Sequence, residues 1–381
     1  MARKKAMTRK ARMWAALRRK PVDRVPYATY NMYPYGGGAA AFTPHTKEPT
    51  YAPLLNRVRD HAGAFIKSGH GGIGEALTRA REDIVENRIE GAGDARMRTT
   101  IIHTPKGDLT RITRIPENKP GMVVKALVTS EEEMEKYMSI PYEEPIFNIA
   151  NVRAIYEAAG DRALISVGFA ESMYAVANVL DFEDFCIRCI TDLPQVIRWI
   201  EWAHERCIAN LRLTTKACRG MDLLFHTAGP EVCTPPMMPP ALFSKLVTPY
   251  LTRLNEVIHD AGFAAGVHCH GRVREVLPEI IRAGTDLLEP IEPPDQGDIT
   301  LAELMEQSAG RICLMGHIQD QEFYTAPPGL MTRRVEEIAR VVDGRTGYIM
   351  SPTCTPFEFP CSETYARNYA EWLDAAERIL A

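Results

Sequence analysis

From residue 147 to the end of the chain, apolar runs of strand length alternate with amphipathic stretches of helix length. The strand-like runs cover 163–168, 221–226, 264–271, 286–291, 311–317 and 348–352. Helical periodicity fills 148–159, 194–215, 241–261, 273–283, 301–307 and 331–342, and 363–380 closes the chain. Such alternation demands right-handed βαβ crossovers and a parallel sheet. With a further strand at 24–30, the economical α/β architecture is a closed (β/α)8 TIM barrel. No Gly-x-Gly-x-x-Gly follows a strand, so a dinucleotide-binding open sheet has little support.

The first third has a different texture. Residues 51–66 read as a helix, and polar/apolar alternation on both sides of Pro105-Lys106-Gly107 reads as a β-hairpin insertion over about 83–115. The whole chain, 1–381, then forms a single barrel domain with an N-terminal helical and β-hairpin insertion. Residues 1–20 hold nine Lys and Arg and no acid. This stretch reads as a solvated basic helix over 7–19, with Met13, Trp14 and Leu17 on its apolar side. Overall, 45 Lys and Arg face 49 Asp and Glu, a net charge of −4, which speaks against a nucleic-acid-binding surface. No apolar run reaches the ~18–20 residues of a membrane span. Nine cysteines, an odd number without a framework, point to reduced thiols and a cytoplasmic location. Cys186 and Cys189 share helical spacing with Phe182 and Phe185, which reads as a packed face rather than a redox pair.

Barrel enzymes carry their chemistry at the C-terminal ends of strands. Those positions hold His226, His268-Cys269-His270-Gly271, Glu289 with Glu292 beyond it, His317, and Thr353-Cys354-Thr355-Pro356. His268 and His270 are two residues apart on a strand, so both point to the same side, and Cys269 points to the other. Two imidazoles aimed into a barrel mouth suit a divalent cation. Cys354 follows the last strand and faces the same mouth. His268, His270 and Cys354 together would give zinc three ligands and one open position, the pattern of a catalytic site. His226, Glu289 and His317 are proton-donor candidates by position. Glu289 or Glu292 would close the sphere if the metal were structural. Tyr30, Tyr33 and Tyr35, with Phe357 and Phe359, read equally as an apolar pocket for a ring or as loop packing.

These residues carry a resemblance. Asp23-Arg24-Val25-Pro26, Pro249-Tyr250, Ala261-Gly262-Phe263 before the His-x-His-Gly strand, and Gly347-Tyr348-Ile349-Met350-Ser351-Pro352 before Cys354 resemble the uroporphyrinogen decarboxylase superfamily. The likeness runs to its zinc-dependent, corrinoid-linked methyltransferase branch. In that branch a His-x-Cys-Gly strand and a distant Cys hold zinc. Here His270 stands where the branch has its first Cys, so the site is less anionic and a better Lewis acid. The segment from Tyr27 to Gly36 lacks the Arg residues with which a true decarboxylase grips carboxylates.

The resemblance implies an O-demethylase methyltransferase of type I. Its substrate is a small aromatic methoxy compound, its cofactors are zinc and a cobalamin (corrinoid) carried by a separate corrinoid protein, and a homodimer is compatible with it. Neither nucleic acid nor membrane is an expected partner. A corrinoid-dependent thiol methyltransferase and a metal-free decarboxylase are the alternatives.

Overall fold

The computed structural model describes residues 6–35, 48–116 and 121–380. Helix α1 (Arg9–Leu17) leads into β1 (Ala28–Tyr30), α2 (Ala52–His61) and β2 (Gly63–Ser68). A four-stranded antiparallel sheet follows, β3 (Val85–Glu90), β4 (Met97–Thr104), β5 (Gly107–Arg114) and β6 (Met122–Lys125), paired in chain order. Helices α3 (Glu131–Met138) and α4 (Ala150–Ala159) return the chain to β7 (Ala163–Gly168). Next come α5 (Ser172–Ala177), α6 (Phe182–Thr191), α7 (Leu193–Ala217) and β8 (Leu224–Ala228). Helices α8 (Pro240–Leu246) and α9 (Thr248–Asp260) precede β9 (Ala264–His268), then α10 (Leu277–Arg282) and β10 (Leu287–Ile291). The last part holds α11 (Leu301–Ser308), β11 (Cys313–Ile318), α12 (Asp320–Thr325), α13 (Leu330–Val342), β12 (Tyr348–Pro352) and α14 (Glu363–Ile379).

Eight parallel strands run β1-β2-β7-β8-β9-β10-β11-β12. Tyr27 and Met350 bridge the first strand's edge to the last, and the Met350 amide donates to the Pro26 carbonyl at 2.9 Å, so the sheet curls into a near-closed barrel. Strand alternation sorts the side chains. Ala28, Phe65, Leu164, Leu224, Leu287, Cys313 and Ile349 fill the barrel interior together with Met13, Trp14, Ala16 and Leu17 of α1. Helix α1 closes the N-terminal end, where Lys10 meets Asp222 at 3.3 Å and Arg19 meets Asp286 at 3.3 Å. The basic helix is therefore half sunk, and each large apolar side chain it buries contributes about 1.5–3 kcal/mol.

Two differences from the sequence reading matter. Residues 63–68 are strand β2, whereas the helical reading ran to 66; α2 stops at His61. A short apolar run such as Ala64-Phe65-Ile66 fits a buried helix or a buried strand equally well. The insertion is also larger than a hairpin, because Met122–Lys125 adds a fourth strand with exposed apolar side chains. Among the described residues, no helix is long and apolar enough to cross a membrane.

Candidate active site at the barrel mouth

The strand residues one layer above the apolar interior are polar. Tyr30, Lys67, His226, His268 and Glu289 each lie two residues beyond an inward-facing apolar residue or glycine, so all five enter the barrel at its C-terminal end. The register sets His268 beside Glu289 and His226 beside Gly266. A Cβ on Gly266 would sit 2.9 Å from His226 Cδ2, so only glycine leaves room for that ring. Across this gap His226 Nε2 comes within 2.6 Å of Glu289 Oε1, close but not aligned as a hydrogen bond.

Glu289 is fully buried and organises the group. Its carboxylate lies 3.2 Å from Lys67 Nζ and 3.1 Å from His268 Nδ1. Burial alone would raise its pKa, but Lys67, His268 and His226 outweigh that and hold it well below the usual carboxylate range. Burial, helped by Lys67, lowers both His226 and His268, against the pull of Glu289. The floor of the mouth is thus one Lys–Glu ion pair flanked by neutral imidazoles. Lys67 also donates to the Tyr30 hydroxyl, which stands 3.2 Å from His268 Nδ1. Burial, reinforced by Glu289, pushes the Tyr30 hydroxyl well above its usual pKa, so it keeps its proton.

His270 has its own carboxylate. Its Nδ1 lies 3.1 Å from Glu292 Oε1, and Glu292 Oε2 accepts the Gly271 amide at 2.8 Å. Burial opposes a charged His270, yet Glu292 overcomes it and raises the pKa. The rings of His268 and His270 meet edge to face with centroids 4.4 Å apart. Neither Nε2 has a hydrogen-bond partner among the described residues. Cys269 turns the other way and is buried in the layer between strands and helices. Cys354 is exposed on the loop after β12, within electrostatic reach of Tyr30, Lys67 and Glu292, and burial of its thiol pushes the pKa up to about 11. Among the described residues, no three His, Cys, Asp or Glu side chains are already gathered as an ion cage. His268 and His270 are imidazoles of the kind zinc accepts, and no third ligand is gathered with them among the described residues.

A cleft of about 1190 Å³ rises from Lys67 and His226 between the barrel and the inserted sheet. Phe169, Tyr174 and Tyr137 give it aromatic walls, and Glu171, Arg81 and Arg111 give it polar ones.

The uroporphyrinogen decarboxylase (URO-D) family model matches residues 97–367, most of the chain. The chain belongs to the uroporphyrinogen decarboxylase family. Among solved structures, a methyltransferase from Methanosarcina mazei superposes with a TM-score of 0.61 at 16% identity, covering 98% of this chain and 100% of its own. That likeness is one of fold. A 3-keto-D-glucoside 4-epimerase from E. coli reaches a TM-score of 0.37 at 13% identity, over 66% of this chain and 97% of its own. No curated protein matches significantly.

Within this URO-D barrel the candidate residues divide. Tyr30, His226, His268 and Glu289 meet in one group, with His270 against His268. Tyr33 and Tyr35 do not join them. The chain turns at Asn31, whose φ is +52°, and lays both rings in the apolar layer beneath the helices, with Ile66, Val152 and Ile165. Phe357 is 62% exposed and packs tilted against Tyr324, with ring centroids 4.7 Å apart, instead of lining the cleft. His317 has no ring contact, ion pair or hydrogen bond to the Glu289 group and lines a separate cavity. Lys67, Phe169 and Tyr174 escaped the sequence reading. The signal for Lys67 was a lone cation ending the apolar run 64–66, two residues beyond Phe65.

Proposed function

We propose that this family member is a methyltransferase that moves a methyl group from an aryl methyl ether to the Co(I) of a corrinoid on a partner protein, with zinc on His268, His270 and Cys354. One observation supports it above the others. Glu289 and Glu292 each fix the Nδ1 of one imidazole, which leaves both Nε2 atoms available. Carboxylates behind metal-bound histidines set tautomer and basicity in this way. Two imidazoles and a thiolate suit zinc better than an oxygen-seeking ion. When bound, zinc supplies a Lewis acid for the ether oxygen.

The protein's own residues do the rest. Glu289 and Glu292 orient the imidazoles. The Lys67–Glu289 pair keeps a fixed, internally neutralised charge at the floor, so no counterion follows the substrate in. Tyr30 holds its proton beside His268 and can donate to negative charge growing on a departing phenolate oxygen. Phe169 and Tyr174 offer faces for the ring, a role for which Tyr33, Tyr35 and Phe357 are wrongly placed.

Metal analysis of the purified protein should give stoichiometric zinc, with at least tenfold weaker retention in His270→Ala and Cys354→Ala. With reduced corrinoid protein under anaerobic conditions, methoxybenzenes should yield methylcobalt and the free phenol. Active protein without metal sinks the proposal. Methylcobalt from thioethers alone would assign the thiol chemistry instead. Lys67 favours one other reading, a metal-free decarboxylase holding a substrate carboxylate, but Glu289 already neutralises that cation. Carbon dioxide release by zinc-free protein would restore it.

A further inference from the structure

The cleft above the mouth is larger than one methoxylated ring needs. Drug-sized ligands fill pockets of about 300–1,000 Å³, and a single ring is smaller than such a ligand. The cleft measures about 1190 Å³. Its inner end is Lys67 and His226, and the His226 ring centroid lies 6.2 Å from that of His268. Strand alternation decides the texture of the part built by the inserted sheet. Val85 and Asn87 share one face of β3. The register sets Val85 beside Ile102 and Ile102 beside Leu109, and Ile102 and Leu109 are buried in the core. The next row on that face is Asn87, Thr100 and Arg111, which is polar and lies about 7 Å along the strands. Ile84 and Val85 thus join Ile73, Leu77 and Val179 as the apolar stretch of the cleft wall.

Charge on the walls is already matched within the protein. Lys67 meets Glu289 at 3.2 Å and Arg111 meets Glu75 at 3.3 Å. Arg81 is held by both Asp83 and Glu143. Each of these three wall cations has its carboxylate. Glu171 is taken by the Met173 and Tyr174 amides, and the remaining acid of the wall, Glu82, is exposed. An anionic substituent would have to displace a protein carboxylate to gain a cation. A neutral apolar one displaces only water and gains in proportion to the area it buries.

We infer that the cleft selects an uncharged aryl methyl ether of two rings, the methoxylated ring at Lys67 and His226 and the second against Ile84 and Val85. The inference rests on the methyl transfer proposed above and names the substrate class for it, with the inserted sheet as the specificity element.

Three probes separate size from charge. They are para-methoxyphenol, its biphenyl homologue with the hydroxyl on the far ring, and the same biphenyl carrying a carboxylate instead. Each is titrated calorimetrically into the full-length protein at pH 7, without corrinoid protein. The neutral biphenyl should bind at least about tenfold tighter than the single ring, and tighter than its carboxylate analogue. Ile84→Ala and Val85→Ala, with folding checked by circular dichroism, should each remove most of the preference for two rings. Equal affinity for one ring and two, tighter binding of the carboxylate, or a preference untouched in both variants would overturn the assignment. Methyl transfer is read apart from binding, as methylcobalt formed with reduced corrinoid protein. Equal kcat/KM for the single ring and the neutral biphenyl would overturn the selection and keep the transfer. Tighter binding of the neutral biphenyl with no methylcobalt from any probe would sink the transfer and leave the preference of the cleft standing.

Discussion

Glu289 and Asp320 are both carboxylates with no exposure to solvent, one in the middle of β10 and the other at the start of α12. Their ionisation runs in opposite directions. Glu289 has Lys67 and two imidazoles and is held well below the ordinary range. Neither oxygen of Asp320 has a partner, and burial pushes its pKa up to about 7. Desolvation is the shared cost, and the company each group keeps decides the outcome. A buried carboxylate inside a strand-end cluster is a fixed charge. One between helices, facing the rings of α14, is close to a neutral acid.

Breaking the first member should have the largest effect. Lys67→Met removes the cation and leaves Glu289 buried beside neutral groups, an expected loss of about 3–5 kcal/mol. Urea denaturation at pH 8 measures it, with Glu289→Gln and the double variant completing a cycle. The double variant should recover much of the loss, because an apolar or neutral pair avoids the orphaned charge. A cost below about 1 kcal/mol for Lys67→Met would mean that Lys67 is not what keeps Glu289 ionised. Because the folded pKa of Glu289 is depressed, its contribution is present above its ordinary pKa and lost as pH falls through the folded value.

Asp320 has the reverse sign. Its folded pKa lies above the ordinary value of 3.8, so below that value ionisation adds no cost to its burial. Stability is then lost as pH rises toward about 7. About three pH units at about 1.4 kcal/mol each set a ceiling of about 4 kcal/mol, which relaxation and internal water reduce. Asp320→Asn should match the parent near pH 4 and exceed it at pH 8, with thermal denaturation at both values as the measure. Equal stability at pH 8 would show that Asp320 does have a partner in solution.

The same contrast explains what the sequence disclosed. The barrel and most of its mouth were legible because period-two strands fix which residues point inward. His226, His268 and Glu289 need only a correct strand and a correct end. Lys67 was hidden because β2 shares its apolar run with the tail of a helix pattern. Tyr33, Tyr35 and His317 were misplaced for a different reason. A positive φ at Asn31 in one case, and at Gly316 and His317 in the other, sends the chain where periodicity does not. Local pattern carries the register; a single backbone turn against it does not show in residue type. The approach of Cys354 was legible only as far as its loop, since strand alternation ends at Pro352.

Glu171 sharpens the comparison because it has partners but no cation. It is buried at the edge of the cleft and caps α5, accepting the Met173 amide at 3.1 Å and the Tyr174 amide at 2.7 Å. Burial nevertheless pushes its pKa up to about 7, with Glu231 adding to it against the amides. If charge partners outweigh neutral hydrogen bonds, Glu171 should behave as a weaker Asp320. Glu171→Gln keeps one acceptor for the helix end and cannot ionise. At pH 8 the relief of a buried charge and the loss of a charge-assisted cap then nearly cancel, leaving a net change within about 1 kcal/mol. The fall in stability between pH 5 and pH 8 should flatten relative to the parent, and by less than in Asp320→Asn. Urea midpoints at the two pH values decide it. Flattening as large as in Asp320→Asn would mean that the two amides contribute nothing to holding the charge, and the ranking of partners drawn from Glu289 would fail.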